Sequence, residues 1–85
     1  MSRLEKAKER IKSRPKDYTY TEARYLLSQL GFIEFQKGKT SGSRVKFYRP
    51  TDQKIILLHK PHPEDTMKPG AVKDLLEFLL NLGEL

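Results

Sequence analysis

Apolar residues recur along the chain with two different periods, and each change of period marks a new element. Leu4, Ala7 and Ile11 fall on one helical face behind Ser2-Arg3-Leu4-Glu5, a Ser-x-x-Glu capping box, and Arg14-Pro15 ends the run. This predicts a short amphipathic helix whose basic residues form a solvated face, an RNA-touching arm or a docking site, the first being the plainest reading. A second and better box, Thr19-Tyr20-Thr21-Glu22, opens a helix over roughly 20–30, with Tyr18 and Ala23 placed as a hydrophobic staple. Ala23, Leu26, Leu27 and Leu30 keep the spacing of a core-facing stripe, and Gly31 supplies the left-handed C-terminal cap. Phe32-Ile33-Glu34-Phe35-Gln36-Lys37, aromatic and β-branched, follows at once as a first strand.

The period then falls to two. From Gly42 to Pro50, Val45 and Phe47 alternate with Arg44, Lys46 and Tyr48, so one set enters a core and the other faces something anionic. A turn at Thr51-Asp52-Gln53 leads into the return strand, Lys54 to His62, whose apolar stretch Ile55-Ile56-Leu57-Leu58 is continuous. His59 shares the parity of Ile55 and Leu57 and reads as a hydrogen-bonded histidine at the core edge. Pro61 and Pro63 forbid helix and ladder pairing, which makes Leu58 to Pro63 an extended exit loop around His62. Pro69 suits the first turn of a last helix, where Val72, Leu75, Leu76, Leu79 and Leu80, flanked by Phe78 and Leu82, form a broad stripe that Gly83 ends. The order α, α, β, β, β, α predicts an α+β fold, a three-stranded antiparallel meander against helices. Without its first helix this is the α-β-β-β-α order of double-stranded-RNA-binding domains. Leu26, Leu27, Leu30, Val45, Phe47, Leu75, Leu76 and Leu79 are expected to share one core.

Composition narrows the function. At 85 residues the chain is read as a single domain, 1–85, with an N-terminal helix extension over 1–15, and it is too small for a deep enclosed active site. With no cysteine it has no disulfide framework and no thiolate zinc site, and a zinc site built on its two histidines lacks further ligands. No apolar run approaches the ~20 residues of a membrane span, and the N-terminus has no signal-peptide core, so a soluble cytoplasmic protein is expected. The net charge of +6 is unevenly spread: residues 1–17 carry seven Lys/Arg against three acids and residues 36–60 seven against Asp52, whereas residues 64–85 carry five acids against Lys68 and Lys73. A basic sheet beside an acidic helix is the electrostatic footprint of a nucleic-acid binder, although basic strands also serve simply as protected, soluble edges. Gly38-Lys39-Thr40 is not a phosphate-binding P-loop, because Ile33 stands where the earlier glycine belongs and a strand follows instead of a helix. It reads as a polar hairpin loop whose amides and Lys39 can still meet a phosphate.

Several motifs in a fixed order carry a resemblance. Leu30-Gly31-Phe32, Gly42-Ser43, Phe47-Tyr48-Arg49-Pro50, His62-Pro63 and Met67-Lys68-Pro69-Gly70 give the segment from about Thr21 to Leu82, within a core over 19–82, a pattern that resembles the HicA family of toxin–antitoxin proteins. The resemblance implies a double-stranded-RNA-binding-like fold, an endoribonuclease that cleaves mRNA, and neutralisation by a HicB-like antitoxin. Better-known members read Gly-Ser-His, with a histidine taken to be catalytic, where this chain reads Gly42-Ser43-Arg44. An arginine does not serve as a general base, but it grips a phosphate in a bidentate fork.

Metal-free RNA cleavage needs a group that takes the 2′-hydroxyl proton, a cation on the phosphorane and an acid for the leaving oxygen; histidine suits either proton role. His62, which matches the family's exit-loop histidine, is the first choice for proton transfer and His59 the reserve, with Arg44 as phosphate clamp; for both histidines a purely structural role is the stronger prior. RNA is expected across Arg44, Lys46 and Tyr48, with Lys39 and Lys54 contributing from the turns. Three classes compete: a ribonuclease toxin needing no cofactor, a non-catalytic RNA-binding domain favoured by Arg44, and a protein-interaction domain whose basic face meets an acidic partner. The free protein is expected to be a monomer.

Overall fold

The computed structural model describes residues 2–35, 44–61 and 63–85. Both N-caps form, but only the second as a reciprocal capping box; at the first, Glu5 accepts from the Ser2 hydroxyl instead of the backbone N–H. In α1 (Arg3–Lys12) the Ser2 hydroxyl accepts from the Glu5 N–H at 3.1 Å, and in α2 (Tyr20–Gln29) Thr19 and Glu22 cap each other reciprocally. Tyr18 and Ala23 are both buried around that cap, as a staple requires. α2 closes through Gly31 at φ +94°, the Phe32 N–H reaching back to the Leu27 carbonyl at 2.9 Å, which satisfies orphan carbonyls in the manner of a Schellman cap. α3 (Pro69–Asn81) starts with proline in its first turn and ends through Gly83. Ile11, at the end of the thin α1 stripe, is fully buried, so the first helix packs into the common core with its basic residues outward.

Three antiparallel strands, β1 (Ile33–Phe35), β2 (Arg44–Arg49) and β3 (Lys54–His59), lie side by side in the order β1-β2-β3. All the described core residues sit on one sheet face, under the helices: Leu26, Leu27, Val45, Phe47, Leu75 and Leu79 are buried there, and Leu30 and Leu76 pack against them partly buried. Val45 and Phe47 point inward and Arg44 and Lys46 outward, the predicted parity of β2. This is the α+β architecture with the α-β-β-β-α order and an additional N-terminal helix.

Two expectations are corrected, the facing of β3 and the place of Leu80 on α3, and the facing of β1 is decided. Val45 pairs with Leu58 and Phe47 with Ile56, so Ile56 and Leu58 form the inward set of β3, while Ile55, Leu57 and His59 lie on the open face. His59 is therefore exposed and not at the core edge. In β1, Glu34 pairs with Phe47 and takes the helix-side position, held by the Tyr20 hydroxyl at 2.8 Å and by Arg24 at 3.0 Å, which leaves Ile33 and Phe35 outward. Leu80, expected within the α3 stripe, is 49% exposed because Val72, Leu75 and Leu79 define the buried line of that helix.

Two polar ties hold the ends together. Arg49, the one buried charged residue among those described, joins Asp52 of the turn, Glu84 near the C-terminus and the Leu30 carbonyl, and its guanidinium lies 4.9 Å from the Phe32 ring centre. Its chain passes Gly31 so closely that a Cβ there would meet the Arg49 Cδ at 3.4 Å. On the other side, the segment before α3 is stitched to the start of α2: Tyr20 N–H donates to the Asp65 carbonyl at 2.7 Å and Met67 N–H to the Tyr18 carbonyl at 2.8 Å. Met67 is buried, so the stretch between His59 and α3 is pinned at its far end.

Candidate nucleic-acid interface

With every helix on one side of the sheet, the other side is open, and antiparallel pairing arranges its outward side chains in rows. The first row is Ile33, Tyr48 and Ile55; the second is Phe35, Lys46 and Leu57; the third contains Arg44 and His59, whose Cα atoms are register partners. Directly opposed residues hold their Cβ atoms about 4.5–5.5 Å apart, so the Arg44 and His59 side chains leave the sheet side by side on the open face. Tyr48 is half-buried at the centre of the first row, in edge contact with Phe35 at a ring-centre distance of 6.4 Å.

Beyond His59 the sheet gives way to a cleft lined by His59, Lys60, Thr66 and Lys68 and by the first turn of α3, with Glu64 and Asp74 also on its walls. α3 has no side-chain cap at its start, so the positive end of its dipole adds to the charge of Lys60 and Lys68. Arg44 and Lys46 of β2 and Lys60 and Lys68 beyond the end of β3 thus bring positive charge to the Arg44–His59 end of the sheet, with Glu64 and Asp74 interspersed.

Of the residues singled out in the sequence, Arg44, Lys46, Tyr48 and His59 share the open face. Lys54 does not join them: it pairs with Arg49, on the helix-side parity and at the turn end of the hairpin. Lys39 and His62, like the Gly38-Lys39-Thr40 loop and Gly42-Ser43, lie outside the described residues. Sequence reasoning missed the outward aliphatic set, Ile33, Ile55 and Leu57. Its one visible signal was the unbroken Ile55 to Leu58 run, which is too apolar for a strand with only one buried face. Arg49, which has no role in the sequence reading, is a buried ion-pair hub.

The charged groups divide by role. Hydrogen bonds from Arg49 hold the Asp52 carboxyl below the usual carboxylate range. Partial burial pushes the Glu22 carboxyl up, but its hydrogen bonds from Arg10 and from the backbone and hydroxyl of Thr19 outweigh this and hold it low. Both arginines are raised by the same partners, chiefly through the hydrogen bonds that Arg10 donates to Glu22 and Arg49 to Asp52. Arg10 and Arg49 are thus committed to structure, while Arg44 and Lys46 face outward on the open sheet. Among the described residues, no cluster of three or more His, Cys, Asp or Glu is placed to hold a metal ion.

A small α+β domain with helices stacked on one sheet face and a cationic, aromatic face left open belongs structurally with the double-stranded-RNA-binding-like domains. The family model of the HicA toxin of bacterial toxin–antitoxin systems matches residues 20–79, and the chain belongs to that family. Residues 1–19, which include α1 and the Thr19 cap, and residues 80–85 fall outside the match. Membership makes the protein the toxin of a pair and implies an antitoxin partner. Comparisons with curated proteins and with solved structures give no match. No helix among the described residues is long and apolar enough to cross a membrane.

Proposed function

We propose that this protein is a cytoplasmic toxin of a type II toxin–antitoxin system that cleaves mRNA as a metal-independent endoribonuclease and is neutralised by a HicB-like antitoxin encoded alongside it. The observation that supports this best is the pairing of Arg44 with His59 at one end of the open sheet face, with Lys46 and Tyr48 one and two rows away. In this reading Arg44 clamps the scissile phosphate in a fork and neutralises charge as the phosphorane forms. A histidine takes the proton of the 2′-hydroxyl, whose oxygen attacks phosphorus; the 5′-oxygen leaves with a proton from a second group, and a 2′,3′-cyclic phosphate remains. His62 and His59 are the two candidates for these proton transfers. Lys46 holds a neighbouring phosphate, and Tyr48 stacks on an unpaired base for about 1–3 kcal/mol.

Incubation of the purified chain with labelled single-stranded RNA, with and without a chelator, tests the reading. Cleavage to cyclic-phosphate ends in both conditions is the expected result. Tight binding without cleavage would instead establish a non-catalytic RNA-binding domain, the second reading, which Arg44 favours because a permanently protonated group takes no proton.

A further inference from the structure

The open sheet face is cationic at its Arg44 end and aliphatic toward the β2–β3 turn. Ile33 and Ile55 flank Tyr48, and Phe35 and Leu57 flank Lys46. These four apolar residues are 48–53% exposed and make up all but one of the exposed large hydrophobic residues among those described; the other, Leu80, is on α3. Large apolar side chains gathered on one exposed face mark a contact with another macromolecule. Ile33, Ile55 and Leu57 offer neither a ring for a base nor a charge for a phosphate, so RNA does not account for them. Protein side chains do.

Resting on the toxin reading above, we infer that these aliphatic rows are the anchoring seat of the antitoxin, on residues separate from those that contact RNA. Ile33, Ile55 and Leu57 accept apolar side chains of the antitoxin, and an acidic rim around them reaches Lys46 and Arg44. A second copy of this chain is a poor occupant: the same face carries Arg44 and Lys46 and the chain as a whole is +6, so a two-fold pairing sets like charges against each other. An oppositely charged partner satisfies the aliphatic centre and the cationic border together. β3 is also the end strand of the described sheet, so the patch runs out to an edge that a larger partner can overlap. Ile55 lies four residues from His59, about 13 Å along the strand, far enough for anchoring and phosphate binding to be altered separately. Seated there, the antitoxin covers Tyr48 and Lys46 and so excludes RNA.

The test uses the full chain and, as probe, the product of the reading frame adjoining its own. An Ile33→Thr/Ile55→Thr double variant keeps β-branched residues in both strands, and its thermal midpoint checks that it folds. The expected variant binds single-stranded RNA and harms the host as the wild type does, but it binds the probe at least about 30-fold more weakly and is not rescued by it. Arg44→Ala gives the opposite pattern, losing RNA affinity while keeping the probe within about threefold, since a cation at the border of an interface contributes little. Unchanged probe affinity in the double variant overturns the inference, as does a parallel loss of RNA affinity, which would assign the rows to RNA. So does failure of the probe to bind the wild type, or a wild-type dimer abolished by the double variant while rescue persists. Harmless expression of the wild type alone removes the toxin reading instead, and the binding measurements still decide where the probe docks.

Discussion

Arg44 decides which chemistry remains open to this chain. Its charge is permanent, so proton transfer must come from elsewhere, and the described histidine nearest in register is His59, directly across the ladder. Losing a general acid or base typically costs about 10²–10⁴-fold in rate, so His59→Ala and His62→Ala measured separately in a single-turnover RNA assay should show which ring transfers a proton. Full cleavage by the double variant would exclude histidine chemistry. Arg44→Lys should slow cleavage while preserving the fold, because an ammonium does not hold a phosphate in a fork. Arg49 works differently, as an ion-pair hub with Asp52 and Glu84. The Asp52 carboxyl is held below its ordinary value, so the stability it contributes is complete above the unfolded carboxylate range and is lost as pH falls through the folded value. Wild-type stability should thus decline below about pH 4, and Arg49→Gln, lower at neutral pH, should decline less over that interval; thermal midpoints across the pH range give the comparison.

At the scale of elements, local chemistry accounts for the helices. The α2 capping box and staple, the proline that opens α3 and the C-terminal glycines act within a few residues of one another, so α2 and α3 are legible directly in the sequence. The sequence shows α1 as a thin amphipathic helix, and its contribution becomes visible only through Ile11, fully buried in the common core, and Arg10, which bonds Glu22 of the α2 capping box. Ile11→Ala should cost about 2–5 kcal/mol, read as a lower urea midpoint, even though Ile11 precedes the family-matched segment. The strands divide. β2 alternates and shows its own parity, whereas the continuous Ile55 to Leu58 run of β3 satisfies either parity equally well. Glu34 in β1 takes its helix-side position only because Tyr20 and Arg24 are there to meet it.

Across the whole molecule, the helices cover one side of the sheet and leave the cationic side clear. Binding through Arg44, Lys46 and neighbouring lysines releases counterions from RNA, so affinity should fall linearly with salt on logarithmic axes, with a slope of about 0.7 per phosphate neutralised. Lys46→Ala should make that slope shallower by roughly this amount, and an unchanged slope would make the basic face a solubility device.

The sequence by itself determined the element order, the caps, the inward set of β2 and the segregation of charge, because each depends on residues close together in the chain. Tertiary structure alone decided the facing of β3, the meeting of Arg44 with His59, the buried hub at Arg49 and the exposed rows of Ile33, Ile55 and Leu57. Each of these rests on a pairing between residues distant in sequence, Val45 with Leu58, Glu34 with Phe47 and Arg49 with Glu84. A one-residue shift of register would turn every side chain of a strand to the opposite face, and no local pattern in an all-apolar run prevents that shift.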